Sequence, residues 1–277
     1  MRSEICIFDL KTGAVTSVLK TDRLIEAPNW VGNEEAVIVN GYGRLYRVNL
    51  NAPELDEIPT DFAIICNNDH GVAPDGRQMA ISDSSEDGLC NIYVLPVTGG
   101  RPRRVTGVSP SYWHGWSPDG KTLVCVGRRN EGAFQVFTIP ADGGCETRLT
   151  QGFDHVDGPG FTPDGKWVWF NGERGGGMQL WRMHPDGGAL EQMTNDDRTN
   201  WFPHPSPNGK SVVYVSYKPG TKGHPRDRIV ELRLLPAAGG LPAVLLPVFG
   251  GQGKLNVPSW SPDSSRFAFM RYTPASE

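Results

Sequence analysis

Apolar positions fall in short runs along the chain, punctuated by proline and glycine rather than repeating at helical spacing. In Trp116-Ser117-Pro118-Asp119-Gly120-Lys121, Pro118 presets φ for the first central turn position and Asp119 tolerates the second. Gly120 takes the left-handed conformation that returns the chain, so the stretch is a β-hairpin turn. The run that follows, 122–126, is too short for a helix, rich in β-branched residues and apolar on both sides, as in a strand covered on both faces. The same pattern predicts strands over 4–10, 15–20, 36–40, 45–49, 79–82, 91–96, 103–106, 134–140, 147–150, 179–185, 191–194, 212–217 and 229–236. An insertion is expected over 218–228, with further extra residues near Gly250-Gly251.

Aligned on the turn, Asn33, Asp75, Asp119, Asp164, Asn208 and Asp263 are separated by 42, 44, 45, 44 and 55 residues. A period of that length with four strands per unit is that of a propeller blade. The sixth unit, 254–272, lacks two strands, and the orphan strands within 4–20 supply them, joining the two termini and leaving no open edge. The fold class is therefore all-β: one six-bladed β-propeller domain over 1–277, four antiparallel strands per blade, its last blade closed by the N-terminal strands.

The 34 glycines and 23 prolines, without a collagen period or low-complexity block, fit this turn-rich chain. A net charge of −4 and no dense Lys/Arg run give no field for nucleic acid. No uninterrupted apolar run is long enough for membrane insertion. Cys6, Cys66, Cys90, Cys125 and Cys145, odd in number and without close pairing, fit reduced thiols. With no signal segment after Met1, a cytoplasmic location is expected, or a periplasmic one had a signal been removed.

The recurring x-Pro-x-Trp-Ser-Pro-Asp-Gly-Lys pattern, followed by a Gly-Gly turn and Arg148-Leu149-Thr150, resembles the TolB-like β-propeller repeats, a type shared with the propeller domains of prolyl-oligopeptidase-type peptidases. The residues carrying the resemblance are Trp116 to Lys121, Phe161 to Lys166, Ser206 to Lys210 and Trp260 to Asp263. TolB itself has a secretion signal and an N-terminal α/β domain that this sequence does not show, so a relative rather than TolB is expected. No Gly-x-Ser-x-Gly nucleophile elbow accompanies the repeats, which argues against a serine peptidase. The motif reports blade construction and leaves function to the site.

The turns are nearly alike from unit to unit, whereas the segments leading into the innermost strands differ, so function is expected at their end of the channel. Seven positions before the turn, the ring contributes Glu26, Asn68, Tyr112, Asp157, Trp201 and Asn256, a set suited to a polar pocket or peptide-binding funnel. Asp69, His70, His114, His155 and Asn200 adjoin them, and His70 and His114 stand where the other four units have proline. Tyr112, Trp113, Trp201 and Phe202 divide between an aromatic docking surface and inter-blade core, while Trp30, Trp116, Phe161 and Trp260 are assigned to packing and His184, His204 and His224 to no chemistry.

Two functions compete. The first is a non-catalytic scaffold, without cofactor, that binds a protein segment or small polar ligand at the channel mouth. The alternative is a metal-assisted lyase or hydrolase acting on a sugar-like substrate, with His70, His114 and His155 around a divalent cation. Against it stands the reading in which His70 and His114 merely bond exposed backbone at the blade tops in place of proline.

Overall fold

The chain opens with β1 (Arg2–Asp9) and β2 (Val15–Thr21), the outer half of a blade that is completed only at the C-terminus. The computed structural model describes residues 1–33, 35–130 and 132–274; Glu131, in the stretch 128–132 that the sequence pattern leaves between the strands 122–126 and 134–140, lies outside them. Five sheets follow, each running from channel to rim in chain order. They are β3 (Glu26–Trp30) to β6 (Asp56–Ile58), β7 (Cys66–Val72) to β10 (Arg103–Arg104), β11 (Ser111–Trp116) to β14 (Thr147–Arg148), β15 (His155–Phe161) to β18 (Glu191–Gln192), and β19 (Thr199–Pro205) to β22 (Ala243–Gly251).

The closing blade pairs β23 (Arg266–Thr273) with β1 along its whole length, from Arg2↔Thr273 to Asp9↔Arg266. Its innermost strand is irregular. A single bridge, Trp260↔Phe267, and backbone bonds from Ala268 N to Ser259 O and Met270 N to Lys254 O hold it. The Lys254 side chain compensates: fully buried, it donates to the carbonyls of Phe249 at 2.6 Å and Met270 at 2.7 Å. The architecture is the expected all-β, six-bladed propeller closed by both termini.

Core forms where blades face each other. Val124 and Val126 of β12 (Thr122–Arg128), for example, pack on Val156, Val168 and Phe170 of the next blade. The tryptophans assigned to packing also tie blades together, Trp116 Nε1 donating to Gly71 O at 3.0 Å and Trp260 Nε1 to His204 O at 2.9 Å.

Two features aim the channel mouth. Each regular inner strand breaks register in its middle, at Glu26/Asn29, Cys66/His70, Trp113/Gly115, Asp157/Gly160 and Trp201/His204. Such bulges turn side chains out of the ladder. The expected insertion, moreover, is not a simple loop. β21 (Arg226–Pro236) and β22 run 11 and 9 residues where three other blades end in two-residue outer strands. This long outer hairpin accounts for the excess of the 55-residue spacing over the 42–45 found elsewhere and carries Arg226 and Gln252 back over the mouth.

Candidate functional site at the channel mouth

The lead-in segments converge on a cavity of about 540 Å³ with side chains from every blade, within the usual range for ligand pockets. Of the residues singled out from the sequence, Glu26, Asn68, Asp69, Tyr112, His114, His155, Asp157 and Asn256 line it. Three do not. Asn200 is fully buried between blades, held by Gln179, Thr194, Asp196 and Ser216. Trp201 packs in the core against His224 and Phe202, which makes it part of the wall behind the site rather than a docking surface.

His70 turns away for a reason of register. In the third blade His114 falls within the bulge between Trp113 and Gly115 and is turned to the channel. In the second blade the bulge comes earlier, between Cys66 and His70, so His70 pairs with Ile81 inside the ladder. Its Nε2 donates to the Ile38 carbonyl at 3.2 Å, and burial pushes its pKa down to about 4. The place facing the channel passes to Asn68 and Asp69. His70 therefore does not join His114 and His155, and among the described residues no group of three or more His, Cys, Asp or Glu side chains is arranged to hold a metal ion.

The electrostatic centre is Asp157. His114 Nε2 donates to its Oδ1 at 2.9 Å, and His224 Nε2 lies 3.7 Å from its Oδ2. Burial alone would raise the pKa of Asp157, but His114, by charge and hydrogen bond, together with His224 and His155, brings it to about 2. Burial likewise opposes charge on His114, and Asp69 and Asp157 together outweigh it, so the imidazole sits above its ordinary range. Asp69 goes the other way: burial, then repulsion from Asp157, lifts it to about 6 despite His114. Two carboxyls in one cavity are thus driven apart, one firmly ionised and one poised near neutrality.

The hairpin supplies what sequence reasoning missed. Arg226 pairs with Glu26 across 200 residues of chain, Nη2 donating to Oε2 at 2.9 Å. His224, which was expected to do no chemistry, bonds Gln252 and stands on the second oxygen of Asp157, while burial lowers its pKa. Gly253 makes this crossing possible: any Cβ there would lie 2.1 Å from Glu26 Oε1. The available signal was the basic 218–228 segment within the longest inter-turn spacing. His155, His224, Arg226 and Gln252 also border a larger groove of about 1280 Å³ between the fourth and fifth blades, reached by the Glu173–Gly177 segment. Apart from Glu26 Oε1, which Arg226 Nη1 faces, the buried side-chain atoms of the central cavity without a partner among the described residues are Asn40 Oδ1 and His114 Nδ1.

Comparison with known proteins agrees with this architecture. Residues 109–231 match the TolB beta propeller domain family. An uncharacterized protein of Agrobacterium fabrum, Atu1656, is 48% identical over 275 residues, covering 99% of this chain and 94% of the relative. A solved structure from Agrobacterium tumefaciens, provisionally assigned as TolB, superposes with a TM-score of 0.97 at 47% identity and 99% coverage of both chains. TolB of Acinetobacter baumannii shares the fold at 20% identity, TM-score 0.70, with 90% of this chain matched to 64% of that one.

Proposed function

The chain belongs to the TolB-like β-propeller family, and we propose that its channel mouth is a binding site, without catalysis, for a segment of a partner protein or a small polar ligand. One observation carries this reading: a cavity walled by all six blades retains buried polar atoms that the protein leaves unpartnered. Unpartnered buried atoms also occur in the core, at the Trp113, Trp169 and Trp201 ring nitrogens, but Asn40 and His114 belong to the wall of a cavity, where a ligand can complete the bonding. The metal-assisted reading is less favoured, because His70 is taken up by the sheet. The five unpaired thiols, four of them buried, favour a reducing compartment.

The test is a thermal-shift screen of small polar compounds and co-purification from native lysate, each run beside Tyr112→Ala and Asn256→Ala. A ligand or partner held by the wild type and lost from both variants is expected. One retained equally by the variants would reject the channel mouth as the binding site.

A further inference from the structure

The two sides of the mouth differ in chemistry. Toward the third, fourth and fifth blades the wall carries its own basic side chains, His114, His224 and Arg226, and each faces a carboxylate of the protein. Toward the first and second blades it offers acceptors. Asn40, 4% exposed, spends its Nδ2 on Asn68 Oδ1 at 2.9 Å and leaves Oδ1 unpartnered in the cavity wall. Asp69 lies on the same side, anchored by Asn67 Nδ2 at 2.7 Å and without an ion pair among the described residues.

Tyr42, Gly43 and Cys66 line the cavity on the same side, and Ile64 and Ile65 adjoin Gly43. Tyr42, Ile65 and Ile64 are 74%, 56% and 43% exposed, and the Gly43 and Cys66 backbones join them, Cys66 N donating to Gly43 O at 3.1 Å. Gly43 has φ +80, and a Cβ there would lie 2.2 Å from Ile64 O, so the two tips close on each other as one surface. Exposed apolar side chains grouped beside a polar pocket are a mark of a protein-binding surface.

We propose that the first- and second-blade side of the mouth docks a polypeptide segment that places a lysine or arginine side chain against Asp69 and Asn40 and lays an adjacent apolar residue on Tyr42, Ile64 and Ile65. The proposal rests on the binding reading above and narrows its ligand. An ammonium or guanidinium group brings only donors, which the unpartnered acceptor and the unpaired carboxylate require. An acidic side chain would meet Asp69 and Asp157 in the same cavity. The apolar rim distinguishes a segment of a protein from a free amine, because only a segment carries the neighbouring side chain.

The probes are three capped peptides, acetyl-Leu-Lys-Leu-amide and its norleucine and glutamate counterparts, together with acetyl-lysine-amide, titrated by calorimetry and by NMR of the His114 and Tyr112 rings. The lysine peptide is expected to bind about tenfold or more tightly than the norleucine peptide, the scale of one charge-assisted contact. Asp69→Asn should abolish that preference, while exposed Tyr42→Ser should weaken both peptides and leave the preference intact. Both substitutions are mild, and thermal melts confirm that the variants fold. Equal binding of the three peptides, or a preference that survives Asp69→Asn, would overturn the cation assignment while the mouth resonances still reported a binding site. Acetyl-lysine-amide binding as tightly as the peptide would overturn the segment. No binding by any probe overturns this inference, and the binding site itself fails only if the co-purification and compound screen fail as well.

Discussion

The two ends of the channel are built from the same strands and obey different rules. At the turn end the same bonds recur from blade to blade. Gly76, Gly120, Gly165, Gly209 and Ser264 each close the turn with a backbone bond of 2.8–2.9 Å, and Asp119, Asp164, Asn208 and Asp263 each accept from the hydroxyl two residues before and the amide two residues after. At the mouth no two blades contribute the same set. There the bulges aim a carboxylate, an amide, an imidazole or a phenol, and the ionisable groups are pulled from their ordinary ranges in opposite directions. Repetition marks what construction requires of every blade; departure from it marks residues that answer to a ligand.

The largest effect is expected where the mouth is most tightly coupled. Asp157→Ala removes the partner of buried His114, and loss of one member of a buried pair costs about 3 kcal/mol, the low end of the usual range because His114 can shed its proton. The pH dependence has a definite sign. The folded pKa of Asp157 is depressed, so its contribution is present above the ordinary carboxylate value and lost as pH falls toward about 2. That of His114 is raised, so its contribution is present below the unfolded imidazole value and lost as pH rises through the folded one. Denaturant melts of wild type and variant should therefore differ most between about pH 4 and 6.5. A difference independent of pH would show that packing rather than charge couples the two residues.

Asp69→Asn should move stability the other way. The native carboxyl holds its proton to about pH 6 against an ordinary value of 3.8, so ionisation costs the folded state about 3 kcal/mol once the pH is well above 6 and little at pH 4. The amide removes that cost. The variant should be more stable than wild type at pH 8 and equal to it at pH 4, as followed by urea unfolding. Stability gained by removing a poised charge is the usual sign of a site that trades stability for binding. A destabilised variant at pH 8 would mean that Asp69 serves the fold.

This asymmetry also decides what could be read without a structure. Turn chemistry is local, so the strands at 91–96 and 134–140 were legible residue for residue, as was closure of the ring by both termini. The candidate site was legible where the offset from the turn sets the direction of a side chain, as for Glu26, Tyr112 and Asp157. It failed for His70, which has the same offset as His114, because the bulge of its strand lies earlier in the register and no local pattern specifies where a bulge falls. His224, Arg226 and Gln252 were beyond reach for another reason. Their place depends on a hairpin that meets Glu26 from 200 residues away, and periodicity carries no such pairing.

Between the two ends lies the one irregular inner strand, and its support should respond to pH in a third way. Burial lowers the pKa of Lys254 to about 7 from 10.5, so the unfolded chain binds the proton more readily throughout that interval. Wild-type stability relative to Lys254→Met should therefore rise as pH increases from 7 to 10, by about 3 kcal/mol. Over that range the neutral amine keeps its donors on the Phe249 and Met270 carbonyls without the penalty of a buried charge. Guanidine melts across that range test it, and a falling difference would show that the charged form is what secures the closing blade.

The smallest expected effects belong to the turn end, and their uniformity is what matters. Gly76, Gly120, Gly165 and Gly209 have φ of +72, +71, +68 and +69, and an added Cβ would meet nothing closer than 3.7 Å, the contact of Gly165 with Pro118. Alanine at each site therefore pays only the left-handed backbone penalty, about 1 kcal/mol. The sixth blade already carries that penalty: Ser264 sits at φ 63, where its Oγ accepts from Asn208 N at 2.9 Å. Four separate glycine-to-alanine variants should lower the unfolding midpoint by the same amount and leave affinity at the mouth unchanged. If one of the four differed from the rest, or altered ligand binding, the turn end would no longer be pure construction, and the division between repeated and unrepeated residues would lose its value as a guide to the site.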